Sequence, residues 1–319
     1  MRIVFLASGA FAVPTLRRLA QSEHEVPLVI TQPPKPSGRG RRVTRTPVDA
    51  IAAELTLETF PVEDVNAPEV VERIRSLDAR LGLVIAFGQK LGPELRNTAP
   101  GGFVNLHASL LPKYRGAAPI NWAIIRGEEK TGCTVFRIVE RMDAGPILLT
   151  RWTEIKPEET AGELHNRLAG IGVDAVMATL ELFADGANPP GTPQDDSQAT
   201  TARKLKKTDG VIEWDRTSRE VVNHIHGVTP WPGATTRYES DDGRWERLTI
   251  VRARRVAMPA QAMVEPGTID KRLYAAAADG FVELLEVQPS SGRVMTWAEY
   301  VNGRHVSAGD GLTSPREAD

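Results

Sequence analysis

Three side chains form a chemical set: the amide of Asn105, the imidazole of His107 two residues on, and the carboxylate of Asp143. Transfer of a group at a carbonyl carbon needs donors aimed where an oxyanion develops, and an Asn amide and an imidazolium can supply them. It also needs a group to take the proton from an attacking amine. A carboxylate beside a histidine fixes the ring and favours its charged form. No Ser-His-Asp logic surrounds these residues, and the single cysteine, Cys133, lies within an apolar run. Direct attack by a substrate amine is therefore favoured over a covalent enzyme intermediate. On residue types alone, a strand-end Asn and His could equally serve to satisfy backbone groups.

The elements that must position this set can be read from the same stretch. Gly102 to Leu106 is a short apolar strand that carries Asn105 and leads into His107. A Pro-bearing turn, Ser109 to Pro112, and a basic-aromatic turn, Lys113 to Gly116, follow. A short helix is expected over Ala117 to Arg126, and Thr131 to Glu140 alternates as a half-buried strand that delivers Asp143 into an Asp-Ala-Gly turn. In open α/β sheets, ligands bind at the carboxyl ends of strands.

Around this stretch, strands and helices alternate. Met1 to Ala7, Val26 to Thr31, Leu81 to Phe87 and Ile147 to Ile155 read as strands; Val13 to Ala20, Pro47 to Leu55, Ala67 to Leu77 and Ala161 to Phe183 read as helices. Asn66 is a candidate N-cap with Glu69 as its capping-box partner, and Leu182 continues the apolar stripe of the long helix. His165 on that helix reads as a surface or packing residue. The alternation predicts an α/β fold, a Rossmann-like, doubly wound, mostly parallel sheet. SGAFAV after the first strand lacks the dinucleotide fingerprint. Residues 187–207 have linker composition and end in a basic run, Arg203, Lys204, Lys206 and Lys207. From 208 onward short strands and tight turns predict a smaller OB-like β-barrel, so the division is 1–186, 187–207 and 208–319.

Gln32 to Thr46 contains three prolines, two glycines and five basic residues (Lys35, Arg39, Arg41, Arg42, Arg45), with no acid among them. It reads either as a solvated loop or as a phosphate-binding arm. With 319 residues, 41% hydrophobic content and a net charge of -2, the chain can bury two cores and is no electrostatic magnet for nucleic acid as a whole. One cysteine excludes a disulfide framework and fits a reducing compartment. MRIVFLASGAF is too short and strand-like for a signal peptide, and no apolar run reaches membrane-spanning length. The expectation is a cytoplasmic monomer without a membrane partner. The six histidines lack metal-ligand spacing, so no metal is expected.

NLHASLLPKYRGAAPINWAI and GCTVFRIVERMDAGPIL resemble the active-site segments of the folate-dependent formyltransferases nearly residue for residue. The RGAAPINWAI form is most similar to the branch that formylates the methionine carried by initiator tRNA. The later half resembles the family more weakly, through KLKKTDGVIEWD, PWPG and LLEVQPSSGRVMTWAEYVNG. The resemblance implies 10-formyltetrahydrofolate as co-substrate and initiator methionyl-tRNA as partner, with Asn105, His107 and Asp143 catalytic. It places folate at Ser109, Leu110, Leu111 and Pro112, with Phe87 and Gly88 walling the pterin pocket. It assigns tRNA contacts to Arg39, Arg41, Arg42 and Arg45 and, more moderately, to Lys204, Lys206 and Lys207. The family usually has Gly-Thr-Pro where this chain has Ala7-Ser8-Gly9-Ala10, a departure that bears on that turn. Two other readings stay open. A formyltransferase acting on a small amine, such as a sugar nucleotide or glycinamide ribonucleotide, would use the same three residues; the basic loop and second domain argue against it. A non-catalytic RNA-binding module with a vestigial pocket is opposed by the intact Asn105, His107 and Asp143.

Overall fold

Ile3–Ala7 (β1) is apolar at every position and fully buried, as a strand covered on both faces requires. The same holds for Leu81–Ile85 (β4), whose Gly82 has no side chain because the Phe103 ring would lie 2.1 Å from a Cβ there. The computed structural model describes residues 1–37, 42–256 and 264–314. It divides into two units, each with its own core. The first comprises Met1–Gly116, Thr131–Thr153 and His165–Thr201; the second comprises Ala117–Lys130, Glu154–Leu164 and Ala202–Asp319.

The first unit is built on a seven-stranded sheet that adds Val29–Thr31 (β2), Thr59–Pro61 (β3), Phe103–His107 (β5), Lys130–Arg137 (β6) and Ile147–Glu154 (β7) to these two. The order is β7-β6-β5-β4-β1-β2-β3. The pairs from β3 through β5 are parallel, and β6 runs antiparallel to β5. Helices α1 (Val13–Ala20), α2 (Pro47–Glu54), α3 (Pro68–Ser76) and α4 (Pro93–Arg96) connect the parallel strands. The α/β reading therefore holds. One detail differs: Ala67, not Asn66, caps α3, with Pro68 opening the helix. Asn66 instead accepts from the Gly92 amide at 2.6 Å and donates to the Lys90 carbonyl at 2.9 Å, a pull from tertiary structure that outcompetes the cap.

Helix α5 (Pro119–Ile125) belongs to the second unit, and α6 (Ala161–Glu181) begins there and continues into the first. Leu182, expected on the apolar stripe of α6, is 40% exposed because the helix ends one residue earlier. Gly172 lets α6 approach β5: a Cβ would stand 2.6 Å from a Leu106 methyl.

In the second unit, α7 (Ser218–Gly227) is held at its start by a reciprocal Thr217–Glu220 capping box. It is followed by strands β8 (Ala234–Glu239), β9 (Trp245–Val256), β10 (Ala275–Ala277), β11 (Gly280–Pro289), β12 (Met295–Thr296), the helix α8 (Trp297–Arg304) and β13 (Gly311–Thr313). The antiparallel order is β10-β11-β9-β8-β13, with β12 on β11. Thr268 bridges to Gly311 and Ile269 to Ala275, which nearly closes the sheet into the expected barrel. Trp297 stacks on Tyr300 with ring centroids 5.4 Å apart, and Tyr300 meets Tyr238 edge-on at 5.7 Å in its core.

The compact units do not follow a division at 186 and 208. The physical reason is that α5 packs on α7, with Ile125 set against the core that includes Val221 and Ile225. Gly227 permits that approach, since a Cβ there would meet Ile125 at 2.4 Å, and Asn121 donates to the Gly227 carbonyl at 2.7 Å. Among the described residues, no helix is long and apolar enough to cross a membrane.

Candidate active site

Asn105 and His107 lie two residues apart on β5, so the pleat turns both to one face of the sheet. Leu106 between them points to the other face, against α6. Across the ladder Asn105 pairs with Phe136 and His107 with Thr134, and the Phe136 ring meets the imidazole edge-on at 6.5 Å. The His107 ring is 93% buried, so its polar contacts are few and specific.

Nε2 of His107 lies 2.8 Å from the Tyr114 carbonyl oxygen. A carbonyl can only accept, so Nε2 carries a proton and donates it. Nδ1 faces Asp143, with Oδ2 at 3.8 Å. That spacing exceeds a hydrogen bond but suits a pair that tightens around a reacting group. The same Oδ2 accepts from the Gly116 amide at 2.8 Å. The structure therefore brings His107 and Asp143 together, and Asn105 follows from its register on the strand.

Tyr114, beside this pair, and Asp143, within it, have left-handed backbones, with φ 61° and φ 51°. Tyr114 is held at both ends of its backbone: its amide donates to Thr200 Oγ1 at 2.9 Å and its carbonyl accepts from His107 Nε2. Asp143 opens a turn that closes at Gly145, where a Cβ would sit 1.7 Å from the Arg137 carbonyl, so only glycine fits.

The Ser109–Pro112 turn is organised by Thr134. Its hydroxyl donates to the Ser109 carbonyl at 2.7 Å and accepts from the Leu111 amide at 3.2 Å. Ser109 Oγ donates to the Lys113 carbonyl at 2.7 Å, and the Leu111–Pro112 peptide is cis. Ser109 and Leu111 are buried, whereas Leu110 and Pro112 are half-buried and so the more reachable side chains of the four. Phe87 is a core residue of the first unit. Gly88 follows with φ 84°, and a Cβ there would clash with Gln32 Nε2 at 2.6 Å. Gln32 donates to the Phe87 carbonyl at 2.8 Å and accepts from Lys35 Nζ at 2.8 Å, tying the Phe87–Gly88 segment to the start of the basic loop. In the departing first turn, Ser8 Oγ accepts from the Gln32 amide at 3.0 Å, so the turn belongs to the same hydrogen-bonded cluster.

In the basic loop, Lys35–Ser37 pairs antiparallel with Arg42–Thr44. Arg39 and Arg41 lie outside the described residues. Arg45 does have an acid within reach, Asp49 Oδ2 at 3.7 Å one helical turn on, which the charge pattern of the loop alone did not suggest. Lys204, Lys206 and Lys207 are exposed. Arg203 beside them is occupied by two bonds to Asp209, at 2.7 and 2.6 Å, and lies 5.0 Å over the Trp122 ring. His165 is a packing residue, edge-on to Phe11 at 5.3 Å. Among the described residues, no group of three His, Cys, Asp or Glu side chains is arranged to hold a metal ion.

The segment of linker composition is a site component that sequence reasoning missed. Thr192 exchanges backbone bonds with Ile147 at 2.8 and 2.7 Å, and Thr200 receives the Tyr114 and Arg115 amides. Gln194 donates to the carbonyls of Asp143 and Gly145 at 2.9 and 2.8 Å. The only local signal was its polar content, which fits a hinge equally well.

Residues 1–180 match the Formyl transferase family and residues 204–305 the Formyl transferase C-terminal domain. HypX from Aquifex aeolicus, solved with tetrahydrofolic acid, superposes with a TM-score of 0.61 at 17% identity over 94% of this chain and 47% of its own. An N-formyltransferase from Helicobacter canadensis, solved with folinic acid and dTDP-3-aminofucose, gives 0.65 at 16% identity over 88% and 98%. At those identities the likeness speaks to fold alone. A methionyl-tRNA formyltransferase of Solibacter usitatus is 43% identical over 98% of both chains. A second, from Acetivibrio thermocellus, is 41% identical over 98% of this chain and 99% of its own. With both domains matched and identity sustained over nearly its full length, the chain belongs to the methionyl-tRNA formyltransferase family.

Proposed function

We propose that this chain transfers the formyl group of 10-formyltetrahydrofolate to the α-amine of methionyl initiator tRNA. The observation that carries the reaction chemistry is the buried His107–Asp143 pair, 3.8 Å apart at the end of β5, on the strand that bears Asn105. The amine nitrogen attacks the formyl carbon, and the carbonyl electron pair moves onto oxygen. The Asn105 amide and His107 Nδ1–H donate to that oxyanion. Nε2 already donates to Tyr114, so donation from Nδ1 as well requires the imidazolium, and Asp143 is the anion that accompanies it. Asp143 also accepts the amine proton through a water. Collapse of the tetrahedral centre breaks the bond from carbon to N10 of the folate, which leaves with a proton, giving formylmethionyl-tRNA and tetrahydrofolate. Alignment of two bound substrates supplies a further share of the rate.

Folate is assigned to Ser109, Leu110, Leu111, Pro112, Phe87 and Gly88. Support comes from a turn rigidified by Thr134 and from the exposure of Gly88, a glycine with φ 84°. Arg39, Arg41, Arg42, Arg45, Lys204, Lys206 and Lys207 are assigned to the tRNA, supported by their charge and, for the three lysines, exposure. The test is to incubate the protein with 10-formyltetrahydrofolate and methionyl initiator tRNA and measure formylmethionine. Formylation of a small amine in its place would overturn the proposed acceptor.

A further inference from the structure

Asp143 has a left-handed backbone, a conformation that a residue bearing a Cβ keeps only where its surroundings hold it. What holds its carbonyl is the side chain of Gln194, fifty-one residues away in sequence, at 2.9 Å. The same Nε2 reaches the Gly145 carbonyl at 2.8 Å, so one amide group grips both ends of the Asp143 turn. The oxygen of the same amide, Oε1, accepts from Arg115 Nε at 3.1 Å and Nη2 at 2.6 Å. Carbonyls only accept and a guanidinium only donates, so the orientation of the Gln194 amide is fixed by its partners. Arg115 directly follows Tyr114, the residue whose carbonyl holds His107. A second route parallels the first: Arg115 Nη2 pairs with Asp196 at 2.8 Å, and Asp196 pairs with Arg141 at 2.5 Å, just before the Asp143 turn.

We propose that Gln194 is a positioning residue for formyl transfer, one side chain that locks the loop holding His107 to the turn holding Asp143 and so sets their separation. The proposal rests on the reading of Asp143 as the residue that handles the amine proton. Glutamine suits the position because its amide offers two donors on one side and an acceptor on the other. Rates respond steeply to placement: an error of about 1 Å in a reacting group can cost on the order of 100-fold. Gln194 touches neither substrate in this mechanism, so its loss falls on turnover and not on affinity.

The experiment compares Gln194→Ala, Gln194→Glu, Asp143→Asn and the double variant Asp143→Asn/Gln194→Ala. Single-turnover rates are measured with enzyme in excess, alongside KM for both substrates and melting temperature. Gln194→Glu keeps the acceptor for Arg115, and with it the anchoring of the segment, but faces the two carbonyls with a carboxylate oxygen. Both Gln194 variants are expected to lose about tenfold to 100-fold in rate. KM should stay within about threefold, and the double variant should be no slower than Asp143→Asn alone, as expected of residues acting through one another. Wild-type rate in Gln194→Glu would show that only the tie to Arg115 matters and would overturn the proposal. A loss confined to KM, or losses that multiply in the double variant, would do the same. Full activity in Asp143→Asn would instead sink the catalytic reading itself; a damaged Asp143→Asn beside an intact Gln194→Ala would sink this proposal alone.

Discussion

His107 is committed at one nitrogen and poised at the other. Nε2 is held by the Tyr114 carbonyl, which leaves Nδ1, on the Asp143 side, for the reaction. Asn105→Ala should lower turnover by about two to three orders of magnitude, the usual loss for an oxyanion donor. Asp143→Asn should abolish most transfer while folate still binds, because an Asn oxygen can go on accepting from the Gly116 amide and preserve the turn. Turnover at saturating substrates and folate titration check the two together; near-normal turnover in either variant refutes the assignment. The spacing of Asn105 and His107 was legible in the sequence, since a strand alternates faces with period two. The approach of Asp143 to His107 was not, because it depends on two left-handed residues whose backbone cost is met by partners far along the chain.

Elements were legible where periodicity was long and bonds local. The strands β1, β2, β4 and β5, the helix α6 and the longer barrel strands β8, β9 and β11 carried their own pattern, whereas the two- and three-residue strands β3, β12 and β13 were too short to show one. What failed was set by remote partners: Asn66 left its cap for Lys90 and Gly92, and the polar segment of 187–207 became a fixed strap because Gln194 and Thr200 found backbone groups elsewhere. A similar remote tie lies in the second unit. The β9–β11 ladder is irregular around Arg252, and the Ala253 amide donates to His226 Nε2 of α7 at 3.3 Å. Burial, reinforced by Arg252 and opposed by Glu163, pushes His226 down to about 4. Below pH 6.5 the unfolded chain takes up a proton that the folded chain refuses until about 4. The associated stability is therefore complete above about 6.5 and declines by about 3 kcal/mol as the pH falls to 4. His226→Gln keeps an acceptor for Ala253 and should flatten that decline in denaturant titrations; an unchanged slope would clear His226 of the effect.

At the scale of the molecule, a net charge of -2 means that attraction to a polyanion must come from local patches. Changing Arg41 and Arg42 together to Ala should weaken transfer at limiting tRNA and reduce the salt slope by up to about two phosphate contacts, leaving folate affinity unchanged. Undiminished transfer at physiological salt would reduce the loop to a solvated linker. Cys133, the sole cysteine, offers a reading of global opening: burial pushes its thiol up to about 12, and Sγ donates to the Leu168 carbonyl at 3.3 Å. Native protein should resist thiol reagents at pH 8 and be labelled at the rate at which the first unit unfolds; rapid native labelling would show local opening at β6. The second unit is assembled from three separate lengths of chain, 117–130, 154–164 and 202–319. Its heritable boundaries are therefore not its spatial ones. A crossover between two relatives at residue 186 would give α5 one parent and α7 another, and would pair the His107 loop of one ancestor with the Gln194 strap of the other. Chimeras should survive only when the Asn121–Gly227 and Asp143–Gln194 partners are inherited as sets, so this enzyme evolves as one interleaved text and not as two exchangeable cassettes.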